Sequence, residues 1–254
     1  MISIIDRDVL KALDDVARAS LDDEPLKPET IIIDATDAPR LAFLTDPNGL
    51  AVEQYKMLRR RLRMAHPPGG LIMITSPGPG EGKTLTSMNL AWSLADAGYN
   101  TCLVDLDFRA PGLARAMGLT GDYGIEPALS GRSTLSQSGV KVADVPLHVY
   151  AVKHRLESPA KYFSPSLLTP FMSSLRSSFE WVILDLVPAV PMSDVSEILP
   201  YVDGALMVVR AATTSAALLP ASLDALGPKL RGVVLNDARI QGSAYYGDYG
   251  KHNR

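Results

Sequence analysis

A chain of 254 residues with 46% hydrophobic but only 6% aromatic content can build one sizeable α/β core plus an appendage, which excludes a second large domain. Its net charge of -3 gives no global attraction to nucleic acid or acidic lipid, so either contact would need a local patch. The single cysteine, Cys102, lies in an apolar run, which excludes disulfide and Cys-metal schemes and fits a reducing, cytoplasmic setting.

The opening MISIIDRDVLKALDD carries acids where a signal peptide has basic residues before a long apolar core. No apolar run reaches the roughly eighteen residues that a spanning helix needs, so membrane association is expected only through a partner. Val9, Leu10, Leu13, Val16 and Ala17 recur at helical spacing, LDDEPLKPET reads as linker, and Ile31-Ile32-Ile33 as a short extended piece. Residues 1–48 are therefore expected to form an N-terminal arm, either a docking arm or a partly disordered leader.

Asp46-Pro47-Asn48-Gly49 is a turn, and AVEQYKMLRRRLRMA after it is a helix. Ala51, Tyr55, Leu58 and Leu62 form one stripe; Glu53, Lys56, Arg60 and Arg63 form another. That basic face is either solvated or meets a neighbouring subunit, where Arg suits bidentate contact to carboxylates.

The next stretch, LIMITSPGPGEGKTLT from Leu71 to Thr86, has the strand, loop, helix order of a phosphate cradle. Gly78, Pro79, Gly80, Glu81, Gly82, Lys83, Thr84 and Leu85 are the expected nucleotide contacts. Lys83 reaches the outer phosphates and the Thr84 hydroxyl holds Mg²⁺. The strict pattern asks for Gly where Pro77 stands.

Gly98 is the natural stop of the following helix. TCLVDLD is then a strand that delivers Asp105 and Asp107 at its C-terminal end, the side on which open α/β sheets bind ligands. One such Asp could cap the next helix; two at strand period with Arg109 beyond read as magnesium and nucleophile handling. GIEPALSG is a short helix ended by Gly131, PLHVYAVKH a strand and SPAKYFSPS a loop. His148 and His154 lack partners at metal spacing. LLTPFMSSLRSSFE is a helix, and WVILDLVP a buried strand closed by Asp185, which holds metal-bound water in a nucleoside triphosphatase site.

MSDVSEILPYV is helical, DGALMVVRA a strand, TSAALLPASLDALG a helix with Pro220 inside it, and RGVVLNDAR the last core strand. Asn236 at its end either reads a nucleotide base or forms a turn. Strands alternate with helices throughout, so the fold class is α/β with a mostly parallel sheet covered by helices on both faces. In the tail, GSAYYGDYGKHNR, Tyr245, Tyr246 and Tyr249 are either a surface aromatic cluster or phosphate acceptors that can thread into another active site.

From about Asn48 to Arg254 the chain resembles the bacterial tyrosine kinases, P-loop autokinases that regulate capsule and exopolysaccharide synthesis and export. The resemblance rests on TSPGPGEGKT as Walker A, LVDLDFRAP as Walker A′, WVILDLVP as Walker B, and the tyrosine-bearing tail, with GALMVVRAATT and GVVLN as further strand ends. Related positioning ATPases carry a signature Lys where this chain has Gly78. The resemblance implies a P-loop NTPase architecture of the deviant-Walker, MinD/ParA type: a kinase domain over 49–240 and a tyrosine tail over 241–254. It implies ATP and Mg²⁺ as cofactors and Lys83, Asp105, Asp107 and Asp185 as catalytic residues. Thr84, Asp107 and Asp185 would serve the metal, and Asp105 would orient or deprotonate the acceptor hydroxyl. It also implies a ring-like homo-oligomer through Glu53, Lys56 and Arg59, which occupy the family's E-x-x-R-x-x-R positions, and a separate transmembrane activator at the inner face of the membrane. Lys56 stands where the family has Arg, Ala110 where Arg or Lys is usual, and Leu186-Val187 where Thr-Pro is common. The rival reading is an ATPase that acts as an assembly switch on a membrane partner without phosphorylating protein.

Overall fold

Central strands of a sheet covered on both faces have no solvent side, so their side chains alternate between two cores instead of between core and water. In the computed structural model, which describes residues 28–66, 68–121 and 123–238, Ile72 and Ile74 enter one core while Leu71 and Met73 enter the other. The strands are β1 (Glu29–Ile31), β2 (Gly70–Thr75), β3 (Thr101–Asp105), β4 (Val140–Val142), β5 (Leu147–Tyr150), β6 (Trp181–Asp185), β7 (Gly204–Arg210) and β8 (Leu230–Asn236). Their order across the sheet is β1-β4-β5-β3-β6-β2-β7-β8, parallel at every junction except β4–β5. The expected α/β architecture is therefore the observed one.

The helices are α1 (Ala42–Thr45), α2 (Leu50–Ala65), α3 (Lys83–Asp96), α4 (Leu113–Ala116), α5 (Ile125–Leu129), α6 (Leu135–Ser138), α7 (Pro165–Ser178), α8 (Ser193–Ile198) and α9 (Leu219–Leu226). On one face α3 crosses β6, β3 and β2, and α2 packs on its outer side. Burial on both sides leaves no solvent-facing stripe from Thr86 to Ala95; Met88, Leu90, Ala91, Leu94 and Ala95 are wholly or almost wholly buried, and so are the small polar Thr86, Ser87, Asn89 and Ser93. Each large aliphatic side chain so buried contributes about 1.5–3 kcal/mol. Gly98 follows α3 with φ of 88°, the left-handed stop that its lack of a Cβ permits.

Several elements differ from the sequence expectation. The stretch 28–48, placed in an arm, joins the body: β1 extends the sheet beside β4, and Leu41 and Phe43 enter the first core. Ile33 points inward while Ile32 stays exposed, so three equal residues divide by strand parity. The segment SPAKYFSPS contains a 3-10 turn over Pro159–Phe163 whose Phe163 is buried. Pro220 lies in the first turn of α9, where its missing N–H costs nothing. The strand β4 and helix α6 had no periodic signal, being only three and four residues long. The helix expected near Val9 and the tyrosines Tyr245, Tyr246 and Tyr249 lie outside the described residues. Among the described residues no helix is long and apolar enough to cross a membrane.

Candidate active site

Because β3, β6 and β2 are adjacent and parallel, their carboxyl ends bring three motifs to one edge of the sheet. The phosphate loop leaves β2, and Asp105 and Asp185 sit directly opposite each other across β3 and β6. The loop returns into α3 at Lys83 through Gly82, whose φ is 94°, after Gly80 at 77°. Pro79 and Gly80 form its exposed apex, whereas Gly78, Glu81 and Lys83 are buried. Ser76 Oγ donates to the Gly78 carbonyl at 2.6 Å, and Thr75 Oγ1 donates to the Val187 carbonyl at 2.7 Å. The first bond lies within the Walker A loop; the second fixes the Walker A strand to the loop that follows Walker B.

Asp185 is buried. One oxygen, Oδ1, accepts a hydrogen bond from Ser87 Oγ at 3.0 Å, while Oδ2 has no partner. Burial pushes its carboxyl up to about 6, and the nearby Thr84 hydroxyl, Lys83 and Ser87 restrain the rise. Thr84 also neighbours the Walker A′ loop, since a Cβ built on Gly112 would lie 3.7 Å from Thr84 Oγ1. A hydroxyl beside an unsatisfied buried carboxylate oxygen is a donor set suited to a hard cation such as magnesium. Among the described residues no group of three or more His, Cys, Asp or Glu side chains could hold a metal alone. The protein thus offers part of a shell, which phosphate oxygens of a nucleotide would complete.

Asp105 is tied into the loop that follows its strand. It is fully buried, Oδ1 accepts the Asp107 N–H at 2.9 Å, and Oδ2 accepts the Leu113 N–H at 3.2 Å. Burial first, then the charge of Asp185, hold its carboxyl well above the usual range. A carboxyl so bonded shapes the Walker A′ loop. Asp107, just beyond the strand, accepts the Ala110 N–H at 2.9 Å on Oδ1. It keeps some exposure, 9% against none for Asp105. Arg109 turns away to a bidentate pair with buried Asp194 on α8, both contacts at 2.9 Å.

Asn236 braces the loop: its Nδ2 donates to the Glu81 carbonyl at 2.9 Å. Leu85 is half-buried against the first core. A groove of about 690 Å³ runs between α2 and β8, lined among others by Leu50, Met57, Leu85, Asn236 and Asp237. It does not include Lys83, Thr84 or the three acids. The residues at interface positions have partners within the chain: Glu53 pairs with Lys56 at 2.9 Å, and the Arg59 guanidinium donates to the Ser93 carbonyl and lies 3.9 Å from Asp96. His148 packs on the Phe179 ring, a structural placement.

Sequence reading missed Ser87, Asp194 and Thr214. Ser87 lies one helical turn after Lys83, a spacing that could have put it beside the strand end. Nothing local marks Asp194 or Thr214, whose partners are 85 and 133 residues away.

The phosphate loop, the two facing acids and the parallel sheet define a nucleotide-binding P-loop protein. The model of the CobQ/CobB/MinD/ParA nucleotide binding domain matches residues 72–250, and the chain belongs to that family. Within it, the resemblance to bacterial tyrosine kinases extends over most of the chain. It is 28% identical over 212 residues to the tyrosine-protein kinase YwqD of Bacillus subtilis (strain 168), covering 82% of this chain and 90% of that one. It is 27% identical over 220 residues to the succinoglycan biosynthesis transport protein ExoP of Rhizobium meliloti (strain 1021), covering 84% of this chain but only 27% of that longer one. Among solved structures, the VpsO kinase domain aligns with a TM-score of 0.67 at 27% identity, covering 75% of this chain and 97% of that one.

The raised Asp185 carboxyl gives a testable pH dependence. A carboxyl whose folded value lies above its ordinary 3.8 favours the folded state when protonated. Its stabilising contribution is complete below the ordinary value and is lost as pH rises through about 6. Without nucleotide, Asp185→Asn should therefore melt above the unmodified protein at about pH 7.5, and the gap should close towards about pH 5. Melting curves that stay parallel across this range would count against a buried, ionised Asp185.

Proposed function

We propose that this chain is an ATP-dependent protein-tyrosine kinase that phosphorylates Tyr245, Tyr246 or Tyr249 on a neighbouring copy. The observation that carries the reading is Lys83 and Thr84 brought beside the facing acids of β3 and β6, in a chain similar to tyrosine-protein kinases over most of its length. Lys83 and the loop N–H groups stabilise charge on the transferring phosphoryl group. Thr84 and Asp185 would hold magnesium, which when bound would neutralise charge on the outer phosphates. Asp107, the least buried of the three acids, serves the metal's water shell and approaches the acceptor hydroxyl, the part that sequence alone assigned to Asp105. Tyrosine has a pKa of about 10, so a carboxylate contributes by positioning more than by basicity. Asp105 keeps the Walker A′ loop folded around the site.

The remaining parts of the reading are a ring-like homo-oligomer, recruitment by a transmembrane activator, and regulation of exopolysaccharide synthesis and export. Their support is the family resemblance.

Mixing tests transfer in trans. A Lys83→Met protein is incubated with labelled ATP and a protein ending at Gly242, which has the loop but no tail tyrosines. Phosphotyrosine on the Lys83→Met chain is the expected result. Free phosphate with no phosphotyrosine on either chain would replace the kinase reading with the assembly-switch ATPase.

A further inference from the structure

We infer that Glu81 is the positioning residue of the phosphate loop, fastening it to the ends of β7 and β8 and so coupling nucleotide occupancy to the root of the C-terminal segment. A carboxylate in a loop built for anions would repel a triphosphate if it faced inward. Glu81 is turned away and only 5% exposed: its Oε2 accepts the Arg210 N–H at 2.7 Å and the Thr214 hydroxyl. Its main-chain carbonyl accepts from Asn236 Nδ2, so one residue grips two strand ends. The Arg210 guanidinium closes the circuit by donating to Asp237 Oδ2 at 2.9 and 3.1 Å.

Two further observations give this clamp a function beyond packing. A Cβ built on Gly80 would meet nothing within 4 Å, so the loop apex has no neighbour to hold its curvature. The loop is anchored on either side of that apex, by the Ser76 bond to the Gly78 carbonyl and by Glu81, and only Glu81 ties it to other strands. Among the described residues only Ala212 and Asp237 are non-glycine residues at positive φ, both at 56°, and they lie in the two segments that the clamp joins. Left-handed conformers of L-residues persist where the surroundings over-determine them, as at binding sites. Asp237 is held so four residues before the tyrosine-bearing segment, 241–254.

The inference rests on the nucleotide-binding reading of the loop but not on tyrosine transfer, so binding is the readout. The intact protein is titrated with a fluorescent ADP analogue and magnesium, alongside Glu81→Ala, Glu81→Gln and Thr214→Val. Loss of two partly buried charge-assisted bonds should weaken binding by about tenfold or more in Glu81→Ala, and loss of one by about threefold in Thr214→Val. Glu81→Gln, whose amide oxygen still accepts, should recover part of the loss. Linkage requires the converse: ADP should slow amide exchange at Arg210 and Asp237 in the unmodified protein and not in Glu81→Ala. Variants that melt lower yet bind ADP normally when folded would reduce Glu81 to a structural role and overturn the inference. So would exchange at Arg210 and Asp237 that ignores ADP. If Glu81→Ala does not fold, Thr214→Val and the exchange data on the unmodified protein decide the matter. Unmodified protein that binds no ADP would overturn the nucleotide reading as well, whereas normal binding with unaffected variants overturns the inference alone.

Discussion

A Lys83→Met protein folds but loses phosphoryl transfer by at least about a hundredfold in turnover, the scale found when one transition-state donor is removed from a preorganised site. Lys83 opens α3 and is almost fully buried, so its side chain has little conformational freedom left to lose when phosphate binds. Its charge also restrains the upward push on Asp185. Methionine keeps much of the volume and the helix propensity, so core packing is unchanged while both electrostatic roles disappear. The measurement is labelled phosphate on tyrosine under saturating MgATP, together with melting to confirm the fold. Turnover within about tenfold of the unmodified protein would remove Lys83 from the transition state.

Gly82→Ala should weaken nucleotide binding by about a hundredfold through two separable effects. The first is backbone strain, since φ of 94° is a region that L side chains avoid at a cost of about 1–2 kcal/mol. The second is steric, because the new Cβ would sit 2.1 Å from Asn236 Nδ2 and displace the amide that holds the Glu81 carbonyl. Losing that bond costs about 1 kcal/mol more. Gly80→Ala is the internal control: its φ of 77° carries strain, but its Cβ meets nothing. Binding of a fluorescent ADP analogue should therefore fall much less in Gly80→Ala. Adding Asn236→Ala to Gly82→Ala should cost little more, because the bond it removes is already lost. Equal losses in the two glycine variants would show that strain alone matters and that Asn236 does not brace the loop.

The contrast between Asn236 and Lys83 shows where sequence reading stops. Lys83 belongs to a local pattern in which a strand, three glycines and a helix lie within sixteen residues, and each member needs only its neighbours to be understood. Asn236 is 155 residues from the carbonyl that it holds, so its task was visible only as two alternatives, a base contact or a turn. Asp105 taught the same lesson in reverse. Its motif marked it as a site residue, but its burial and the two backbone N–H groups that it holds were not legible in the motif.

By itself the sequence determined the α/β class, the phosphate loop and the presence of acids at the ends of two apolar strands. These follow from periodicity and short-range chemistry, which lie along the chain. Strand order, the facing of Asp105 and Asp185, and the clamp that joins Glu81 to Arg210, Thr214 and Asn236 came only from tertiary structure. The physical reason is that parallel pairing joins strands through long crossovers, so residues that share a charge or a hydrogen bond at the sheet edge are far apart in the chain.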